Sequence, residues 1–161
     1  MTTTMQRQQR NMAGKELELT TFYVGDLLLG VDIHQVEEIN RQLNMTPAPH
    51  TPETIRGVVN LRGEVVTVLD LRRALGLEPT IITEDSRNVI VNSRGERVGL
   101  LVDRIADVVI AATDQIEPPP ANVNGIDGRF FAGVYKLESE LVVILDVEEA
   151  LASEGASKQT T

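Results

Sequence analysis

The sequence predicts an all-β fold of two small barrels with only short helices. Three observations lead there: the chain contains itself twice, its dominant apolar period is two, and turn chemistry recurs at short intervals. Shifting Gly57–Glu78 forward by 76 positions lays it on Gly133–Glu154 with 10 of 22 residues identical, including Gly57/Gly133, Leu61/Leu137, Glu64/Glu140, Leu69/Leu145, Asp70/Asp146 and Leu75/Leu151. A weaker echo aligns Gly30–Ile39 with Gly99–Val108, so that Val36 matches Ile105 and Glu38 matches Asp107. The copies run from about 17 to 78 and from about 88 to 152. At roughly sixty residues, one copy alone buries barely ~60% of its chain surface and is marginal. The two are therefore expected to interlock and pack against each other.

In chain order, Leu17–Val24 and Leu27–Ile33 flank Gly25-Asp26 as a first hairpin, because Gly-Asp between β-favouring runs is strong turn chemistry. Gly57–Leu61 and Glu64–Leu69 flank Arg62-Gly63 as a second. Val89–Asn92 and Val98–Val102, joined through Ser93–Glu96, repeat the first; Gly133–Leu137 and Glu140–Leu145, joined at Glu138-Ser139, repeat the second. Hairpins at this spacing suit small barrels. Asp70 and Asp146 stand where a strand gives way to Leu-Arg-Arg-Ala-Leu or Val-Glu-Glu-Ala-Leu, the place for an N-cap whose carboxylate accepts free backbone N–H groups. Asp146 and Glu149 have capping-box spacing, and Gly76 is placed to end the first helix. The proline-rich segments Thr46–Pro52 and Glu117–Pro120 cannot continue a ladder, and we expect extended surface connectors there rather than proline-motif ligands. Residues 1–15, which lack a signal peptide's apolar run, and 153–161 are expected to be flexible tails on a folded body from 16 to 152.

A net charge of -9 repels a phosphate backbone or an anionic lipid surface, so neither nucleic acid nor direct membrane contact is expected. The five aromatic residues, Phe22, Tyr23, Phe130, Phe131 and Tyr135, lie in strand-like runs without a basic background, so bases have no stacking platform. No apolar run approaches the ~18 residues of a membrane-spanning helix. The absence of cysteine removes disulfides and thiolate metal sites and fits a cytoplasmic protein.

Reactive constellations are missing too. His34 and His50 stand in no ligand or nucleophile spacing. Asp32, Glu37 and Glu38 lack the alternating spacing and loop glycine of a calcium site, so they read as a solvated face and no metal or cofactor is expected. The scattered glycines form no phosphate-cradling loop. Two features point outward. Arg62, Arg72 and Arg73 align with Glu138, Glu148 and Glu149, which leaves two readings: drift on a solvated face, or related surfaces of opposite charge that dock different partners. Asn60, Arg62 and Gly63 are turn residues by type, yet an arginine among aliphatic neighbours is also a favoured interface anchor. Residue chemistry alone leaves these readings level.

The string Ile55–Arg72 closely resembles the signature of the CheW family, the coupling proteins of bacterial chemotaxis. So do Gly30-Val31-Asp32-Ile33 with Val36–Ile39, Val98–Asp103 continuing through Asp107-Val108, and Leu145–Glu148, with order and spacing fitting from about Leu17 to Leu151. The resemblance implies two SH3-like five-stranded β-barrels packed on a shared hydrophobic core, and a cytoplasmic scaffold without catalysis. It implies bridging of the cytoplasmic tips of methyl-accepting chemotaxis receptors, in membrane-bound arrays, to the regulatory domain of the histidine kinase CheA, with possible ring-like assembly. It further implies that Val36, Glu38 and Arg62 bind partners, with Glu38 and Arg62 paired. Gly57, Asn60 and Gly63 would shape their strand and turn, and Ile105 and Val108 would line a groove for a receptor helix. The alternatives are an adaptor of a related chemosensory system that controls pili or another output, a self-assembling double barrel, and a small enzyme using Asp32, Glu37 or Glu38 in a cleft between the barrels.

Overall fold

The computed structural model describes residues 15–152. The tails expected at 1–15 and 153–161 lie outside the described residues, apart from Lys15. All four expected hairpins form. β1 (Glu16–Val24) and β2 (Leu27–Asp32) make the first, β4 (Ile55–Leu61) and β5 (Glu64–Asp70) the second, β6 (Arg87–Ser93) and β7 (Glu96–Val102) the third, and β12 (Phe131–Lys136) and β13 (Leu141–Leu145) the fourth. Between them run β3 (Val36–Asn40), the short β8 (Arg104–Ile105) and β9 (Val109–Ala112), and a small ribbon of β10 (Asn122–Val123) and β11 (Ile126–Asp127). Helix is confined to α1 (Leu71–Ala74), α2 (residues 147–152) and three single 3-10 turns among the described residues.

The sheets do not coincide with the sequence copies. One sheet has the order β3-β6-β7-β5-β4, and the other runs β12-β13-β2-β1 with β8 and β9 sharing the free edge of β1. Each sheet therefore takes one hairpin from each copy, joined by a parallel pair: Val68 beside Gly99 in one, Ile144 beside Gly30 in the other. These two pairs are the same pair under the repeat. β8 and β9 together fill the place that β3 takes in the five-stranded sheet, since all three derive from the same part of the repeat.

Interleaving explains why β2, β6, β7 and β13 carry unbroken runs of buried residues. Successive side chains on a strand point to opposite faces, and here both faces are covered. Leu27, Leu29, Val89, Val91, Leu100, Val143 and Leu145 face a core shared by the two sheets, which also holds Phe22, Phe130 and Phe131. Their neighbours Ile90 and Leu101 turn the other way, into a cluster with Val59, Leu61, Val66 and Val68. Leu28, Val142 and Ile144 do the same in the six-stranded sheet, with Leu19 and Ala111. Each fully buried aliphatic side chain contributes about 1.5–3 kcal/mol, so the shared core binds the two sheets into one unit.

The N-cap expectation holds at Asp146 and fails at Asp70. The Glu149 N–H donates to Asp146 Oδ1 at 3.1 Å, as a capping residue requires. Asp70 makes no side-chain bond to α1. The loop after Gly76 folds back over it instead. Its carboxylate, 1% exposed, accepts from the Thr80 N–H at 3.0 Å, the Thr80 hydroxyl at 2.7 Å and Arg56 Nη1 at 2.8 Å. A helix of four residues has little to lose from a missing cap, and the carboxylate is fully engaged in anchoring that loop. Gly76 does end α1, with φ of 86° and its N–H on Arg73 O at 3.0 Å.

Candidate functional site

The β4–β5 turn is built to present Arg62. Arg62 and Gly63 have φ of 53° and 86°, both positive as in the tight turn that matches strand twist. An arginine in this region is held at a cost on the order of 1 kcal/mol. The Gly63 N–H, donating to Asn60 Oδ1 at 2.9 Å, helps to offset it. The device recurs where Asn92 receives the Gly95 N–H at 3.1 Å and where Asn122 receives the Gly125 N–H at 3.0 Å. Gly57 begins the same hairpin at a bulge, where a Cβ would stand 2.6 Å from Thr46 O. Thr46 and Val58 bond reciprocally there, at 2.9 and 2.8 Å, so glycine is required by the close approach of the connector.

Arg62 pairs with Glu38. Glu38 lies on β3 and Arg62 follows β4, the two outermost strands of the five-stranded sheet, so the pair joins its edges and requires the sheet to curl. The side chain of Arg62 is 73% exposed, that of Glu38 only 21%. Behind them stands Arg97 on β7. Its Nε donates to Glu37 Oε2 at 2.7 Å, its Nη1 to Glu64 Oε2 at 2.8 Å, and its Nη2 lies 3.7 Å from Glu38 Oε2. Partial burial lowers the pKa of Arg97, but Glu64 and then Glu37 more than reverse this and hold it above the ordinary arginine value. Adjacent residues on a regular strand point to opposite faces, yet Glu37 and Glu38 both face Arg97. The cause is a bulge: β3 shifts register against β6 between Val36 and Glu38, leaving Glu37 as the extra residue that re-aims its neighbours.

The expected site residues thus fall into two groups. Glu38, Asn60, Arg62 and Gly63 come together at one end of the five-stranded sheet, with Gly57 at the root of the same hairpin and Val36 two residues before Glu38. Ile105 lies on β8 in the other sheet, and Val108 lies in the link between β8 and β9. Val36 and Ile105, equivalent under the repeat, are both half-buried against the shared core, while Val108 is exposed. Glu64 and Arg97 have no signal for this site in the sequence, and Glu37 enters there only in an acidic face and in the enzyme alternative. Strand order and the bulge unite them with Arg62, and neither has a local signature.

The charges on the two helices are answered within the chain. Arg72 donates to Asp103 Oδ2 at 2.6 Å, a bond that holds its pKa above the usual range against partial burial. The same oxygen accepts the Gly25 N–H at 2.6 Å. The equivalent Glu148 accepts from Ser93 at 2.8 Å and lies 3.0 Å from Arg94. Arg73 pairs with Glu53, and Glu149 with Arg129 at 3.8 Å. Opposite signs at equivalent helix positions are therefore matched by opposite local partners, and the outward contrast narrows to the Arg62 and Glu138 turns. The carboxylates of the enzyme alternative are also engaged: Asp32 accepts the His34 N–H at 2.9 Å, and Glu37 and Glu38 face arginines. No described helix is long and apolar enough to cross a membrane.

A family model described as the CheW-like domain matches residues 18–155. The probable chemotaxis protein CheW of Rhizobium etli is 33% identical over 141 residues, covering 88% of this chain and 90% of the relative. The chemotaxis protein CheW of Rhizobium meliloti is 32% identical over 137 residues, covering 85% and 88%. The crystal structure of the scaffolding protein TtCheW from Thermoanaerobacter tengcongensis aligns with a TM-score of 0.75 at 34% identity, over 81% of this chain and 84% of that one. Interleaved barrels, a signature hairpin that turns at Asn-Leu-Arg-Gly, and sequence similarity along nearly the whole folded body agree: the chain belongs to the CheW-like domain family.

Proposed function

We propose that this chemotaxis coupling adaptor acts without catalysis, joining the cytoplasmic tip of methyl-accepting receptors to the regulatory domain of the kinase CheA in receptor arrays. The observation that carries the reading is the Arg62–Glu38 pair at the edge of a curled sheet. It offers a partner one exposed guanidinium already oriented by a mostly buried carboxylate, so little side-chain freedom remains to be lost on docking. Val36 and Ile105, at the border of the shared core, and exposed Val108 supply apolar contact, the larger energy at about 25 cal/mol per Å² before association costs. Charge then selects orientation and partner. Ile105 and Val108 are assigned to a groove for a receptor helix, and Gly57, Asn60 and Gly63 to shaping the hairpin that holds Arg62.

The test is a binding assay with a receptor cytoplasmic fragment and the CheA regulatory domain, each alone and both together. Wild type should retain both, and Arg62→Ala and Glu38→Ala should each weaken at least one partner about tenfold, some 1.4 kcal/mol. Retention of neither partner by wild type defeats the adaptor reading. Unchanged binding by both variants defeats the assignment of these residues.

A further inference from the structure

We propose that Arg97 is a positioning residue of this docking face: it is the cation that stays with Glu38 when a partner's acidic group takes Arg62. The inference rests on the docking reading above and extends it to a residue in the sheet behind the turn. Arg62 stands on a turn, is 73% exposed, and has Glu38 as its carboxylate partner. Arg97 rises from a strand, is 21% exposed, and is gripped by Glu37 and Glu64. Both guanidinium groups face one atom, Glu38 Oε2.

That shared oxygen solves a problem of exchange. If a partner carboxylate drew Arg62 away, Glu38 would be left mostly buried and without a counter-charge, a state that strongly disfavours docking. With Arg97 at 3.7 Å, a shift of under about 1 Å brings a second guanidinium within hydrogen-bond range of Glu38. Arg62 is then free to change partners while the carboxylate remains neutralised. Arg97 also balances Glu37 and Glu64, which would otherwise add to the pull on Arg62 and hold it inside the molecule. The partner chemistry this selects is an acidic side chain at the centre of an otherwise apolar contact.

The test uses the full chain, with binding to the receptor fragment and the CheA regulatory domain measured in parallel with solvent exchange of the Arg62 Nε–H by NMR. Arg97→Ala should weaken the partner that depends on Arg62 about tenfold and slow that exchange severalfold, because Arg62 becomes the remaining cation beside Glu38. Glu38→Gln in the Arg97→Ala background should recover most of the affinity, since a neutral amide keeps an acceptor oxygen and needs no counter-ion. A merely structural role predicts no such recovery. Wild-type affinity in Arg97→Ala, or a double variant as weak as the single one, overturns the inference. If Arg97→Ala fails to fold, Arg97→Lys and Arg97→Gln read the same difference: lysine holding affinity and glutamine losing it supports the inference, and equal affinities overturn it. If wild type binds neither partner, the docking reading falls. The inference, which rests on that reading, falls with it, whereas wild-type binding with no loss in Arg97→Ala overturns the inference alone.

Discussion

The hairpins β4–β5 and β12–β13 are the same element written twice, and they differ where it matters. Both begin at a bulge with a glycine, Gly57 or Gly133, pressed by a connector that pairs reciprocally with the next residue, Thr46 with Val58 and Glu117 with Val134. Both send their second strand into a parallel pair with the other copy. Even exposed aliphatics recur: Val65 and Leu141 are equivalent, as are Ile39 and Val108. The turns and their charges do not recur. Arg62 reaches across to Glu38, while its counterpart Glu138 is an exposed acid; Glu64 is held by Arg97, whereas Glu140 accepts the Tyr23 hydroxyl at 2.6 Å. Backbone approach fixes what a duplicated hairpin must keep, and the solvent-facing turn is free to diverge. The docking role proposed for Arg62 falls on the part that diverged.

The comparison can be broken most severely by separating the copies. Because each sheet takes one hairpin from each, a fragment of residues 17–78 holds two strands of the six-stranded sheet and three of the five-stranded one and should be unfolded by circular dichroism, while mixing it with residues 88–152 should restore strand signal. A fragment that folds alone would contradict the interleaving.

Next comes the pair Asp70 and Asp146, identical in sequence and different in task. Asp70→Ala strands Arg56 and Thr80 and should cost about 3 kcal/mol, lowering Tm by roughly 10 °C. Asp146→Ala removes a cap and should cost about 1 kcal/mol. Equal losses in a denaturant titration would show that the two roles are not distinct. Gly57→Ala should cost about 2 kcal/mol, because its Cβ meets a backbone oxygen and its φ is 155°. Gly133→Ala crowds the Glu117 carbonyl at 2.9 Å and a methyl of the stiff Ile116 side chain at 2.7 Å, but without the positive φ of Gly57, so a somewhat smaller loss, about 1.5 kcal/mol, is expected there.

The smallest effect belongs to Tyr23. Its hydrogen bond to Glu140, then partial burial and the Glu140 charge, raise its pKa above 10.0. The neutral phenol is the donor, so the tie is intact below 10.0 and is lost as pH rises through the higher folded value. In a Tyr135→Phe protein, which has no tryptophan, phenolate absorbance should titrate above 10.0, and Glu140→Gln should bring the midpoint down. A midpoint indifferent to Glu140 would remove this contact from the account.

Much of the fold was legible because it rests on local chemistry: Gly25-Asp26, Arg62-Gly63 and the segment Ser93–Glu96 declare turns, and the repeat declares four hairpins. The exchange of hairpins between sheets was not legible, since strand order is set by contacts among residues far apart in sequence. Asp70 misled for a similar reason. A capping residue and a loop anchor have the same identity, and only the return of Thr80 separates them. At the site, Glu38 and Arg62 followed from family resemblance, while Arg97 emerged from strand order and from a bulge that leaves no mark on β3 alone.

The most direct test of the account is to reverse charge at the two equivalent turns and titrate each variant with the receptor fragment and the CheA regulatory domain. Arg62→Glu should lose at least tenfold in affinity for one of them with the fold retained by circular dichroism, and Glu138→Arg should bind that same partner within about threefold of wild type. Equal affinities for the two variants, or wild-type binding by Arg62→Glu, would contradict the claim that the diverged turn selects the partner.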